Sequence, residues 1–171
     1  MQQQTKNYMN KNDSIIKIEN FDFLIGKWEI LNKRLKERLS NNNEWIEFNA
    51  VMETKPILNG MGLMDEMKTT HFGNDFVGLS IRLINPKTNI WTIYWADTFS
   101  PNNYLKEQVV GTFKNGIGEF YGIEHFNEKK YKLRFIWKKK SKNTAHWEQA
   151  YFDDLKGEWE TNWIMLFSKI E

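Results

Sequence analysis

Two arginines stand where a surface charge is not expected. Arg82 lies between Ile81 and Leu83, and Arg134 between Leu133 and Phe135. Alternate residues of a strand face opposite sides, so each points either into a protein interior or to solvent. A buried charge is costly unless it is paired or meets a ligand. An inward Arg82 or Arg134 would therefore meet a carboxylate such as Glu119, or hold the anionic group of a small molecule. The alternative is an arginine that faces outward or is internally paired. Gln149 and Asn162, also inside strand patterns, are placed to orient a carboxylate, carbonyl or hydroxyl. Small-molecule sites are mostly apolar and aromatic with a few directed polar groups. Trp95, Tyr121, Trp137 and Trp147 complete the expected ligand contacts on that ground, and serve equally well as core. General acid or base work would need an interior carboxylate or tyrosine. Glu119, Glu148, Glu160 and Tyr94 are the residues in position for it.

Other chemistries find less support. His71, His125 and His146 lie on three separate segments, none with the spacing of a metal site. A single axial histidine for haem, His146 or His125, needs no spacing pattern and stands as the one cofactor alternative. The chain has 0 cysteines, which removes disulfides, thiolate sites and a Cys nucleophile. No Gly-x-Ser-x-Gly elbow occurs. Gly60-Met61-Gly62 and Gly116-Ile117-Gly118 read as turns, since no phosphate-binding lysine follows. Lys and Arg number 24 against 22 Asp and Glu, too even a balance for a nucleic-acid or membrane field. The Lys138–Lys142 cluster reads as a solvated turn. Residues 1–20 lack the apolar run of a signal peptide, and no stretch is apolar for the length of a membrane helix. A cytoplasmic protein is the expectation.

The elements that must position these residues follow from a period of two. Residues 1–13 are polar and read as a flexible tail, ahead of a single domain over 14–171. Ser14 to Leu24 has the spacing of one or two helical turns, capped by Ser14 or Asp13. Strands are then expected over 25–38, 44–55, 63–70, 76–84, 90–98, 106–114, 118–126, 130–138, 144–152 and 158–168. Turn residues separate them, with Asn115-Gly116 the strongest hairpin signal. Trp28, Ile30 and Asn32 share a face of the first strand. In the last, Trp159, Thr161, Trp163, Met165 and Phe167 share one face, and Glu160 and Asn162 the other. Ten short strands, neighbours pairing in order, predict an all-β, closed up-and-down antiparallel barrel. A barrel of that size can enclose a small ligand.

Phe21-Asp-Phe-Leu-Ile-Gly-Lys-Trp28 carries a triplet, Gly26-Lys27-Trp28, that resembles the first-strand Gly-x-Trp signature of lipocalins and their calycin relatives. The wider set resembles the DUF1579 family of bacterial calycin-like proteins of unknown function. It comprises Ser80-Ile-Arg-Leu-Ile-Asn-Pro86 with Trp91-Thr-Ile-Tyr-Trp95, Gly118-Glu-Phe-Tyr-Gly122, and Trp147-Glu-Gln-Ala150 with Trp159-Glu-Thr-Asn-Trp163. The resemblance implies a lipocalin-like barrel and no established activity. In lipocalins a late basic residue packs over the Trp; Lys169 is the candidate here. Two readings follow. One is a barrel binding a small, largely apolar ligand that carries a polar or anionic group. The other is a cofactor-free isomerase, cyclase or decarboxylase, argued from fold analogy. Apolar residues on both faces of the fourth and tenth strands also raise a homodimer. With Trp28 expected at the barrel seam, a site is expected toward the fourth, fifth, eighth and ninth strands.

Overall fold

The computed structural model describes residues 21–99, 105–106, 108–126 and 128–170. They form ten strands: β1 (Gly26–Leu35), β2 (Trp45–Ile57), β3 (Gly62–Lys68), β4 (Val77–Asn85), β5 (Ile90–Asp97), β6 (Val109–Lys114), β7 (Ile117–Phe126), β8 (Lys129–Lys139), β9 (Thr144–Asp153) and β10 (Glu158–Lys169). Each pairs antiparallel with its neighbours in sequence, and β10 returns to pair with β1, so the barrel is closed. Closure leaves no free edge for another chain to pair with. Of the expected helix over 14–24, the described residues hold one 3₁₀ turn, Asp22–Leu24; the polar tail and residues 14–20 lie outside them.

Alternation decides the two faces. In β2, Phe48, Ala50, Met52 and Thr54 are buried, and Glu47, Asn49, Val51 and Glu53 between them are exposed. β2 runs through Pro56, expected in a bend, and the chain turns one step later at Asn59 and Gly60, where φ is 53° and 84°. At the β6–β7 hairpin, Asn115 and Gly116 have φ of 54° and 78°. That pair of left-handed residues matches the twist of the flanking strands, which is why this dipeptide marks the turn.

One end of the barrel is shut by the segment ahead of β1. Phe21 and Leu24 are fully buried. The Phe21 ring lies edge-on to Trp91 (5.1 Å), Phe113 (4.8 Å) and Trp137 (5.6 Å), and stacks on Phe120 (5.4 Å). These are the offsets that the quadrupoles of aromatic rings favour. Trp28 Nε1 donates to the Leu24 carbonyl at 2.7 Å, tying the plug to the first strand. Lys169 takes the place expected of it: Nζ lies 5.3 Å from the Trp28 ring and donates to the Ile25 carbonyl at 2.7 Å. That ammonium clamps the β10 end onto the β1 start, across the seam that closes the barrel. Lys169→Met should lower stability by about 1–2 kcal/mol, the worth of one charge-assisted hydrogen bond and a cation–π contact. Urea unfolding measures it.

The other end lies away from the plug and is called the open end. The upper part of β5 runs beyond β6, because β5 and β6 pair through Trp91, Thr92 and Ile93. The loop after β3 folds over the mouth instead. Phe72 packs on Phe48 (5.2 Å) and Phe76 (4.9 Å), and His71 stacks flat on Phe48 at 4.0 Å.

Candidate functional site

The lumen has two halves of different chemistry. The closed half is aromatic around one ion pair. Arg82 (3% exposed) points inward from β4 and bonds Asp65 (2% exposed) from β3. Its guanidinium lies 5.2 Å from the ring centroids of both Phe21 and Trp137. Burial pulls the Arg82 pKa down, to about 9, so the cation stands at neutral pH and Asp65 offsets its desolvation. The partner is Asp65 and not Glu119. A dry pair held between rings, next to the plug, is an internal strut of the fold; its position leaves the ligand role expected of Arg82 without an open approach. Trp137 belongs to the same packing, 5.3 Å from Phe167.

The open half is polar. Asn32 on β1 is fully buried and accepts from Trp163 Nε1 at 3.0 Å. Gln149 on β9 donates to Asn162 on β10 at 2.9 Å, and both are buried. Nearer the mouth, Arg38 Nη1 donates to the Tyr151 hydroxyl at 2.7 Å, which donates onward to Glu124 Oε2 at 2.6 Å. Burial, reinforced by the Glu124 charge, pushes the Tyr151 phenol well above its ordinary value, so it stays a donor. Arg34 lies between two aromatic faces, 5.2 Å from Phe72 and 5.1 Å from Trp163. Burial, and then the like charge of Arg38, lowers its pKa from the usual arginine value. Trp147 lines the boundary between the halves, 5.8 Å from Trp163 and 5.0 Å from Phe135.

Three buried donors in this half lack a hydrogen-bond acceptor: Asn32 Nδ2, Asn162 Nδ2 and Arg34 Nε. The Asn32 assignment is forced, since an indole N–H can only donate and so fixes which end of the amide is the oxygen.

Several expected site residues lie elsewhere. Tyr121 (47% exposed) and Arg134 face outward, in phase against the inward Phe120 and Leu133. Arg134 stacks on Trp159 at 4.7 Å, and the Tyr121 hydroxyl donates to Glu119 at 2.9 Å. These residues form an outer-wall cluster, not lumenal contacts. Arg134 reads as internal because the outer face of this wall is itself partly apolar. Glu119 and Glu148 are likewise outside the lumen; Glu148 meets His146 at 3.0 Å. Tyr94 alternates with the inward Ile93 and Trp95 and so faces out. Glu160 turns inward but is used: it accepts from the Leu39 backbone N–H at 2.8 Å. Trp95 points inward and donates to Asp97 at 3.0 Å. His125 and His146, the haem alternatives, are both on outer faces, whereas an axial ligand would have to enter the lumen.

The last strand departs from simple alternation. Its register slips between Thr161 and Trp163, so Asn162 sits in a β-bulge. A bulge adds one residue and re-aims those around it. Glu160 and Asn162 therefore share the interior with Trp163, Met165 and Phe167, where strict alternation would set them apart. The buried polar groups of the open half, the candidate site, are thus carried by β1, β7, β9 and β10, beside the seam, whereas the expectation pointed to the fourth, fifth, eighth and ninth strands. Arg34, Arg38, Glu124 and Tyr151 are members of the candidate site that sequence reasoning missed.

The chain is a closed ten-stranded up-and-down antiparallel barrel with a plugged base and Lys169 over Trp28. No protein-family model matches the chain, and no curated protein matches it. Among the described residues no group of three or more histidines and carboxylates could hold a metal ion, and no helix is long and apolar enough to cross a membrane.

Proposed function

We propose that this barrel binds a small, largely apolar molecule bearing a polar or anionic group, in the open half of its lumen. The observation that carries this is the contrast between the halves. The closed half is built of aromatic packing around one ion pair, and its unpartnered polar atoms, Thr54 Oγ1, Arg82 Nε and Trp91 Nε1, are scattered over three strands. In the open half, aromatic faces from Phe48, Phe72, Trp147 and Trp163 surround amide and guanidinium groups whose burial costs stability. Such a combination suits a site better than a core. Trp163 in the wall gives a direct readout. Titration with naphthalene and medium-chain alkyl compounds should quench tryptophan emission saturably, and Trp163→Phe should remove most of the change. Native mass spectrometry of protein taken from cells should show an added mass. Absence of quenching with every compound, together with an unadorned mass, would contradict the reading. Membership of the DUF1579 family, a cytoplasmic location and a homodimer are part of the same proposal, the last checked by light scattering.

One observation favours a second reading. Acid, arginine and amide do converge: Glu124, Tyr151, Arg38 and Gln149 share the open half. In a cofactor-free isomerase, the Glu124 carboxylate would take a proton from the substrate and return it at another position, with the Tyr151 hydroxyl holding the substrate oxygen by a hydrogen bond. Mass spectrometry of a bound compound after long incubation separates the two, since binding returns it unchanged and catalysis does not. Tyr151→Phe should then abolish conversion and leave binding within about threefold, as expected if the hydroxyl acts mainly in the transition state.

A further inference from the structure

The unpartnered polar atoms of the open half share one property. Asn32 Nδ2, Asn162 Nδ2 and Arg34 Nε are all donors. They are also neighbours. Arg34 and Trp163 are paired across β1 and β10, Trp163 Nε1 bonds Asn32 at 3.0 Å, and Asn162 is the bulged residue next to Trp163. Both asparagines are 0% exposed. Nearby, Asn32 Oδ1 accepts from Trp163, Asn162 Oδ1 from Gln149, and Glu124 Oε2 from Tyr151. The region therefore offers three N–H groups and the Arg34 charge to an incoming acceptor.

We infer that the polar group of the ligand is a carboxylate, seated against the Arg34 guanidinium and the free amide N–H groups of Asn32 and Asn162. This rests on the ligand-binding reading above and deepens it. A carboxylate is acceptor-only, with two oxygens and about four lone-pair sites, which suits a guanidinium and two amide donors. Arg34 and Arg38 are two positive charges beside the Glu124 carboxylate, and the single negative charge of the ligand offsets the remainder. A primary amide or an alcohol would bring one oxygen to three donors and no charge to Arg34. A phosphate monoester would bring close to two charges, more than this seat neutralises. The apolar body of the acid then lies along Phe48, Phe72 and Trp147. Flat packing of Arg34 between Phe72 and Trp163 sets the guanidinium plane before the ligand arrives, so little of its freedom is lost on binding.

The test compares isosteres on the full-length chain. 2-Naphthoate, 2-naphthamide and 2-naphthalenemethanol form one set; decanoate, decanamide and decanol form the other. The acid of at least one set should bind about tenfold or more tighter than its neutral partners, as expected of hydrogen bonds to a charged group. Arg34→Met should bring the three members of that set together. Asn32→Asp is the sharper variant, because it keeps an acceptor for Trp163 Nε1 and turns the free donor into a carboxylate. It should reverse the preference, with the amide bound tighter than the acid, and near-ultraviolet circular dichroism should stay unchanged. If neutral members bind as well as the acids in the wild type, or the acid preference survives Asn32→Asp in a folded protein, the carboxylate seat is wrong while ligand binding stands. If no member of either set binds, both the seat and the binding reading fall.

Discussion

Asp65→Ala is expected to destabilise the barrel by about 3–5 kcal/mol, because it leaves the Arg82 cation buried without its partner. Arg82, its pKa pulled to about 9 by burial, is the cation at neutral pH, so the variant starts from a buried charge. Arg82 and Asp65 are 3% and 2% exposed, so solvent does not screen the loss. For a chain of this size that cost corresponds to a fall in Tm of about 6–20 °C. The companion variant separates a strut from a mere contact. Replacing both residues with apolar ones of similar volume, Asp65→Leu with Arg82→Met, should recover most of the loss, since breaking a buried pair is worse than removing it. A double-mutant cycle in urea gives the coupling directly. A single-variant cost under about 1 kcal/mol would place the pair among solvent-screened bridges and overturn the dry interior of the closed half.

Phe21→Ala is the second large effect. Phe21 is fully buried between four aromatic rings at the closed end, and it forms one face of the Arg82 stack at 5.2 Å. Truncating such a ring removes its transfer free energy and leaves a cavity, a loss of about 3–5 kcal/mol. The cavity would also let water approach the Arg82–Asp65 pair. Leu155→Ala is the control: the side chain is wholly exposed in the β9–β10 turn and should change stability by less than about 0.5 kcal/mol. If the two variants differ by less than about 1 kcal/mol, the plug contributes no more than an ordinary surface residue.

The architecture was legible because it rests on local signals. Period-two burial, turn residues and the Asn115-Gly116 hairpin act over short distances, and pairing in chain order needs no further information. Strand ends shifted where local rules compete, as at Pro56, which stays in β2. The site was less legible, for two physical reasons. Arg34 stands between Lys33 and Leu35 and so resembles an ordinary surface charge, although stepping by two from Trp28 through Ile30 and Asn32 places it inside. The same step from Phe120 through Gly122 finds Glu124, and from Trp147 through Gln149 finds Tyr151. The informative signal was phase relative to an anchored Trp, not the apolarity of the immediate neighbours that drew attention to Arg134. The second reason is the bulge at Asn162. One added residue changes which side chains face inward, and nothing in Glu160-Thr161-Asn162-Trp163 marks it. Arg38 lies past the end of β1, where strand phase gives no direction.

The claim at the centre of this account is that the open half of the lumen is a ligand site and the closed half is not. The indole N–H resonances of the tryptophans report on both halves at once. Trp163 and Trp147 line the open half and its boundary, Trp28, Trp91 and Trp137 are packed at the closed end, and Trp159 is on the outer wall. Titration of ¹⁵N-labelled protein with 2-naphthoate and, separately, 2-naphthalenemethanol should move the Trp163 resonance most and leave Trp28, Trp91 and Trp159 in place. Shifts confined to Trp159, shifts centred on Trp91 and Trp137, or no shift with either compound would contradict it.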